Sequence, residues 1–239
     1  ITREIILDRI DYGKFGYLNT SVKATDYQLV KTDLQEQYSV LPQARIQYSS
    51  YDKNNTLKYN FNGELSVFDH TYSYKATGTR LMLYPSIEYP MRNIGWELTP
   101  KLGIKHRSYS ISRGSDNNIT DTTPILSLRG KMIFDKMKTN NILQTLEPEM
   151  FFLYVPASNQ DAIPIFDAGD NDLKYNLFAE NRFYGEDRLN DAKQVTLALS
   201  SSIIDTSSGN ELLRGTIGQI FYLDDRAVHL TNSETDKTN

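Results

Sequence analysis

From Leu57 the chain alternates. Leu57, Tyr59, Phe61, Gly63, Leu65 and Val67 share one parity, and Lys58, Asn60, Asn62, Glu64 and Ser66 share the other. Successive side chains of an extended strand leave on opposite faces, so this segment predicts a strand with one apolar and one polar side. The pattern recurs from Arg80, with Leu81, Leu83, Pro85, Ile87 and Tyr89 against Arg80, Met82, Tyr84, Ser86 and Glu88. Leu98, Pro100, Leu102 and Ile104 oppose Glu97, Thr99, Lys101, Gly103, Lys105 and Arg107, and Leu126, Leu128, Gly130, Met132 and Phe134 oppose Ser127, Arg129, Lys131 and Asp135. Weaker alternation marks Ile1 to Leu7, Phe15 to Tyr27 and Gln43 to Tyr51, while Ile142 to Pro156 and Lys193 to Ile204 alternate as two strands flanking the longest loop. Glu211 to Leu223 is ambiguous, because Gln219 shares parity with Leu213, Ile217 and Phe221. About ten strands result, most of them longer than the five or six residues usual in soluble sheets.

The connections alternate as well. Short polar turns are expected near Asp52 to Thr56, Arg92 to Ile94, Lys136 to Asn141 and Asp205 to Asn210; long loops are expected at Gln28 to Leu41, Asp69 to Thr79, Ser112 to Thr123 and Pro156 to Ala192. Short turns at one end and long loops at the other are the layout of an antiparallel transmembrane β-barrel, with the turns periplasmic and the loops outside. Tyr89, Trp96, Tyr109, Tyr154 and Tyr222 near strand ends suit interfacial aromatic girdles, although β-propensity alone explains a tyrosine in a strand. Pro85, Pro100, Pro124 and Pro148 remove ladder donors and call for bulges, strand starts or edges.

Composition changes this picture little. The net charge of −4 argues against a nucleic-acid partner, and the absence of cysteine removes disulfides and thiolate metal sites. No run of about 18 apolar residues offers a transmembrane helix, a test that does not bear on barrel strands. The chain opens at Ile1 and closes in a polar stretch from Thr231 to Asn239, so it reads as a piece of a longer protein. Residues 1–239 are expected to form one partial β-barrel domain without a second domain.

The candidate chemistry lies on the polar parity. Arg45, Lys58, Arg80, Lys101, Lys105, Arg107, Arg129 and Lys131 share it with Glu64, Glu88, Glu97, Glu147 and Glu149. In a soluble β-sandwich this is a solvated face; in a barrel it is a wet, mixed-charge lumen suited to a polar or anionic solute. The largest loop carries the opposite sign in Asp161, Asp167, Asp170, Asp172, Glu180, Glu186, Asp187 and Asp191, with Arg182 and Arg188 as internal partners. Asp167 to Asp172 has oxygen ligands at spacings calcium uses but matches no EF-hand, so a solvated turn is the better reading. His70, His106 and His229 are scattered, and no nucleophile elbow, zinc pair or phosphate loop is present, so no catalytic residue, metal or cofactor is expected. An outer-membrane solute channel and a ten-stranded outer-membrane hydrolase remain as alternatives, the latter because loop residues distant in sequence can still meet.

Several stretches resemble the LPS-assembly protein (LptD) family of Gram-negative outer membranes. They are Leu143-Gln-Thr-Leu-Glu-Pro148, Leu153-Tyr-Val-Pro156, Gln160-Asp-Ala-Ile-Pro-Ile-Phe-Asp167, Leu177-Phe-Ala-Glu-Asn-Arg-Phe-Tyr-Gly185 with Asp187-Arg-Leu189, and Ile217-Gly-Gln-Ile-Phe-Tyr222. Leu41-Pro-Gln43, Ala76-Thr-Gly-Thr-Arg80, Leu83-Tyr-Pro-Ser86 and Leu98-Thr-Pro-Lys-Leu-Gly103 precede them in the family's order. The resemblance implies a central arc of a large barrel that inserts lipopolysaccharide into the outer leaflet of the cell outer membrane. It also implies a lipoprotein plug, LptE, in the lumen, and a periplasmic bridge reached through a jelly-roll domain beyond this stretch. On that reading Arg45, Lys58, Glu64, Arg80, Glu88, Lys101, Lys105, Arg107, Arg129, Lys131, Glu147 and Glu149 face the lumen. Ile163, Pro164, Phe166, Asp167, Phe178, Asn181, Arg182, Asp187 and Arg188 would belong to a plug-contacting loop that folds inward or over the mouth. The acidic loop would discourage return of anionic lipopolysaccharide or bind the divalent ions that bridge its phosphates. Glu149, at a position often basic in the family, and Ala157-Ser-Asn-Gln after Pro156 depart from the family pattern.

Overall fold

The computed structural model describes residues 2–27, 37–54, 56–114, 118–139, 141–170 and 177–230. They are all-β and antiparallel. The strands are β1 (Thr2–Tyr12), β2 (Gly16–Tyr27), β3 (Ser39–Tyr51), β4 (Lys58–Asp69), β5 (Thr77–Glu88), β6 (Met91–Asn93), β7 (Trp96–Arg113), β8 (Asn118–Met132), β9 (Phe134–Thr139), β10 (Ile142–Val155), β11 (Gly169–Asp170), β12 (Phe183–Tyr184), β13 (Ala192–Asp205) and β14 (Asn210–Tyr222).

One sheet holds a path of ten strands, β1-β2-β3-β4-β5-β7-β8-β10-β13-β14; β6 adds to β7 beyond the end of β5, and β9 adds to β10 beyond the end of β8. The path has the expected number of strands, each antiparallel to the next along the chain. β1 and β14 are its edges, and β11 pairs with β12 inside the large loop.

Register carries the sequence parity across the sheet. Arg45 stands opposite Glu64, Glu64 opposite Met82, Met82 opposite Arg107 and Arg107 opposite Asp121. Directly opposed residues of an antiparallel pair share a face, so this row runs along the polar side. On the other side Ile87, Leu102, Leu126 and Tyr154 form an apolar row. Leu102 and Ile104 are 47% exposed and Leu197 is 48% exposed. A contiguous apolar belt of this extent is foreign to the outside of a soluble monomer.

The same register resolves β14. Phe221, Ile217 and Leu213 oppose Val195, Leu199 and Ile203, so they join the apolar face, and Gln219 opposite Leu197 is a polar residue within it.

Two expectations are corrected. Ser112 to Thr123 is not a long loop: β7 runs to Arg113 and β8 starts at Asn118, with Tyr109 paired to Ile119 and Arg107 to Asp121. Serine at 108, 110 and 112 makes the outer parity polar there and hides the alternation. The prolines meet gaps in the ladder more than bulges. Pairing of β5 with β7 lapses between Leu83 and Ser86 around Pro85, β8 pairs with β10 only from Leu126 onward, past Pro124, and Pro148 falls where β10 passes from β8 to β9. Pro100 keeps its carbonyl bonded to the Tyr89 amide at 3.0 Å. Pro42 is the one at a register shift, between Val40 and Gln43. A missing donor is harmless where no partner strand offers an acceptor.

Candidate functional site

The polar face changes character along the strands. Near the short-turn end it is charged, with Glu147 and Glu149 on β10 and Arg129 and Lys131 on β8. Near the loop end it becomes apolar, with Phe151, Leu153 and Val155 on β10, Ile125 on β8, Tyr109 and Ile111 on β7, and Phe68 on β4, all buried. The segment between β10 and β13 lies against this apolar zone. Leu189 joins Ile125, Phe151, Leu153, Val155 and Ala192 in one cluster, edged by Tyr84 and Phe178. Ile163 and Phe166 join Phe68, Tyr109 and Ile111 in a second. Phe166 stacks on Phe68 with ring centroids 4.5 Å apart. Full burial of side chains of this kind contributes roughly 1.5–3 kcal/mol each, so the two clusters hold the loop as firmly as a core holds a helix.

Ion pairs link the loop to the strands. Arg80 on β5 has no exposed surface. Its Nη1 donates to Asp167 Oδ1 at 2.7 Å and to Asp187 Oδ1 at 2.6 Å, and its Nη2 donates to Asp167 Oδ2 at 2.6 Å and to Glu64 Oε1 at 2.5 Å. The guanidinium carbon lies 4.9 Å from the Phe68 ring centroid. Asp187 also accepts from the Tyr109 hydroxyl at 3.2 Å and from the amides of Phe166 and Asp167 at 2.7 Å each. Arg107 donates to Asp121 Oδ2 at 2.5 Å and to the Asp187 carbonyl at 3.0 Å. Burial works against ionisation of Asp167, yet the hydrogen bonds and charge of Arg80 hold its carboxyl well below the usual carboxylate range. Burial pushes Asp187 the other way, with Arg80 opposing that rise and the neighbouring Asp167 charge adding to it.

Toward the next strands Lys101 pairs with Glu180 at 2.9 Å, the Tyr84 hydroxyl donates to the same carboxylate at 2.7 Å, and Lys105 pairs with Glu186. The loop is also tied to itself. Gln160 donates to the Leu189 carbonyl at 2.8 Å and accepts from the Leu189 amide at 3.1 Å. Asn181 donates to the Arg188 carbonyl at 2.8 Å and accepts from the Asn190 amide at 3.1 Å, while the Arg182 amide donates to Asn190 at 2.8 Å. Gly185 turns with φ +73°, and a Cβ there would stand 2.4 Å from the Asp167 carbonyl oxygen. Only glycine meets both demands.

All twelve residues assigned to a lumen by parity fall on the face that the loop covers or borders. Arg80, Lys105, Arg107, Glu64 and Glu147 are buried; Arg45 and Arg129 keep half-exposed side chains. The basic wall is not an open anion surface, since each cation has a carboxylate partner: Arg45 with Glu64 at 2.8 Å, Lys58 with Glu88 at 3.4 Å, Lys131 with Glu147 at 2.6 Å and Arg129 with Glu149. Arg129 also stacks on Phe178 at 5.0 Å.

Of the loop residues singled out, Ile163, Phe166 and Asp187 are buried against the strands, and Arg188 is buried within the loop, donating to the Ile163 and Asp187 carbonyls. Pro164, Asp167, Phe178, Asn181 and Arg182 are half-buried; Tyr184, which the sequence reading did not single out, is 56% exposed. Sequence reasoning missed Asp121, Tyr109, Phe68 and Gln160 as parts of the site. Asp121 and Tyr109 already stood on the polar parity of their strands, extended past the assumed loop. The calcium reading of Asp167 to Asp172 loses Asp167 to Arg80; Asp172 lies outside the described residues, among which no cluster of three or more potential metal ligands occurs. His106 stands on the apolar parity, 2.7 Å from Thr122, and buried His70 packs edge-on to Tyr38.

The model of the family described as LPS transport system D matches residues 7–239. The LPS-assembly protein LptD of Aromatoleum aromaticum is 35% identical over 229 residues, covering 93% of this chain and 29% of that protein. The protein of the same name from Nitrosospira multiformis is 35% identical over 234 residues (93% of this chain, 25% of the relative), and that of Neisseria meningitidis serogroup A is 33% identical over 241 (98% and 30%). The chain thus spans less than a third of the length of these curated relatives. A match across nearly the whole chain, in a molecule whose strand parity and inward loop were described above on their own terms, shows that the chain belongs to the LPS transport system D (LptD) family.

Proposed function

We propose that residues 1–239 are one partial-barrel domain, a central arc of a transmembrane β-barrel in the outer membrane of a Gram-negative bacterium. The full-length parent inserts lipopolysaccharide into the outer leaflet with the lipoprotein plug LptE, and receives it from the periplasmic bridge. The single observation that carries this reading is that the described residues of the loop (156–170 and 177–191) are seated on the polar face while the opposite face is an exposed apolar belt. A wall that is polar and loop-filled on one side and apolar on the other fits a barrel between lumen and lipid. The loop end is then extracellular and the short-turn end periplasmic.

The loop acts as a fixed inner buttress rather than a mobile lid. Its buried face, including Ile163, Phe166 and Asp187, is committed to the strands, so plug contact falls to Pro164, Phe178, Asn181, Arg182 and the exposed Tyr184. A loop that fills lumen volume also sets this reading apart from an open solute channel.

In cells that depend on the full-length parent, Tyr184→Glu is expected to leave barrel folding intact, reduce co-purification of the lipoprotein and lower lipopolysaccharide at the cell surface. Deletion of residues 157–191 should abolish both. Unchanged lipoprotein recovery and surface lipopolysaccharide in both variants would contradict the proposal.

A further inference from the structure

A cavity of about 460 Å³ lies where the first turn of the large loop meets the segment that follows β14. Arg188 lines it and is only 5% exposed. Its Nη1 donates to the carbonyls of Ile163 at 3.0 Å and Asp187 at 3.2 Å; among the described residues Nε and Nη2 have no hydrogen-bond acceptor and no carboxylate is within ion-pair reach. This contrasts with Arg80, Arg107 and Arg129, each of which has a carboxylate. A buried guanidinium without an anion is costly, and its planar fork matches a phosphate or carboxylate along two N–H bonds.

The cavity is built from fixed parts. Gln160 locks the turn to Leu189, and its amide donates to the Ser158 hydroxyl oxygen at 3.1 Å, which leaves the Ser158 proton to give. Asn159 accepts from the Asp161 amide at 3.0 Å, and its side-chain NH2 has no partner among the described residues. Across the cavity Asp191 accepts from the amides of Ala227 at 2.8 Å and Val228 at 2.9 Å, so that wall is pinned as well. Asp161, exposed at the rim, is the one carboxylate among the described residues that line the cavity. Ser158 and Asn159 approach from the first turn of the loop and Arg188 from its far end, so donors reach the cavity from two sides and can grip an oxyanion between them.

We propose that this cavity binds a phosphate monoester group, with the outer edge of Arg188, the Ser158 hydroxyl and the Asn159 amide as donors and Asp161 tempering the affinity. The source is a phosphorylated lipid headgroup or free phosphate. Tyr154 and Phe221, exposed on the apolar face at the loop end, mark the upper membrane interface in the orientation proposed above, and the cavity residues 157–161 follow directly beyond it. That places the site at headgroup height. Only the lipid source rests on the proposed orientation; the cavity itself does not.

The test uses the full-length parent in phosphate-free detergent, titrated with inorganic phosphate and followed by 31P line broadening, and in nanodiscs with and without phosphatidic acid. Arg188→Gln is expected to weaken binding roughly tenfold or more, as loss of a charge-assisted hydrogen bond implies. Ala157→Glu, at an exposed position of the cavity lining, should weaken it without touching Arg188, and Asp161→Asn should tighten it. A response to these variants in free phosphate supports an ion site, and a response confined to phosphatidic acid supports a headgroup site. If Ala157→Glu and Asp161→Asn fold normally and change neither titration, the site is refuted, whatever the parent's role in lipopolysaccharide delivery.

Discussion

Arg80→Met is expected to release residues 156–191 to protease and to destabilise the loop's attachment by roughly 3–5 kcal/mol, the usual cost of breaking a buried ion pair from one side. The size follows from what remains. Glu64 and Asp187 are buried and Asp167 half-buried, and all three meet on one guanidinium. Removing the cation leaves three carboxylates together without a counter-charge, two of them supplied by the loop that the arginine retains. Combining Arg80→Met with Glu64→Gln, Asp167→Asn and Asp187→Asn should recover part of the loss, because the penalty comes from stranded charge rather than from a missing attraction. Cleavage rate within the loop and the midpoint of heat-modifiable migration, read on the full-length parent, check both expectations. An unchanged cleavage rate in Arg80→Met would mean that the apolar clusters alone hold the loop.

Leu102→Arg should impair barrel assembly by roughly 2–4 kcal/mol, the cost of a cation on the lipid face near the bilayer midplane, whereas Lys101→Gln should be nearly silent. The two positions are adjacent in sequence and differ only in face. Leu102 is 47% exposed on the apolar side. Lys101 pairs with Glu180 on the other side, where Tyr84 continues to donate to that carboxylate after substitution. Equal effects of the two on heat-modifiable folding would overturn the assignment of faces.

Much of the wall was legible from sequence. Alternation is a one-dimensional signal, and in β4, β5 and β7 nothing competes with it: Leu65, Leu81 and Leu102 are exposed on one face while Glu64, Arg80 and Lys101 stand on the other. It failed where the outer face turns polar. At Ser108, Ser110 and Asp121 the strands continue toward the loop end, so a hairpin was taken for a loop. β14 needed the register with β13 before Gln219 could be placed.

The attachment of the loop was not legible, because its partners are remote in sequence. Arg80 is 87 positions from Asp167 and 107 from Asp187. A run of loop carboxylates reads as an outward charge, which suggested repulsion of lipopolysaccharide or capture of divalent ions. In the fold Asp167, Glu180, Glu186 and Asp187 turn inward onto Arg80, Lys101 and Lys105, so the negative charge and the basic wall neutralise each other. Composition reports how many charges a segment carries, and only the tertiary contacts decide where they are satisfied.

The most direct test of the central claim is site-specific photo-crosslinking from outer membranes of the full-length parent, with the probe placed in turn at Arg45, Leu102 and Tyr184. If the polar face lines a plugged lumen and the apolar face meets lipid, Tyr184 and Arg45 will capture a lipoprotein or lipopolysaccharide and Leu102 will capture phospholipid alone. Capture of the lipoprotein from Leu102, with only lipid from Tyr184, would invert the wall and contradict the account.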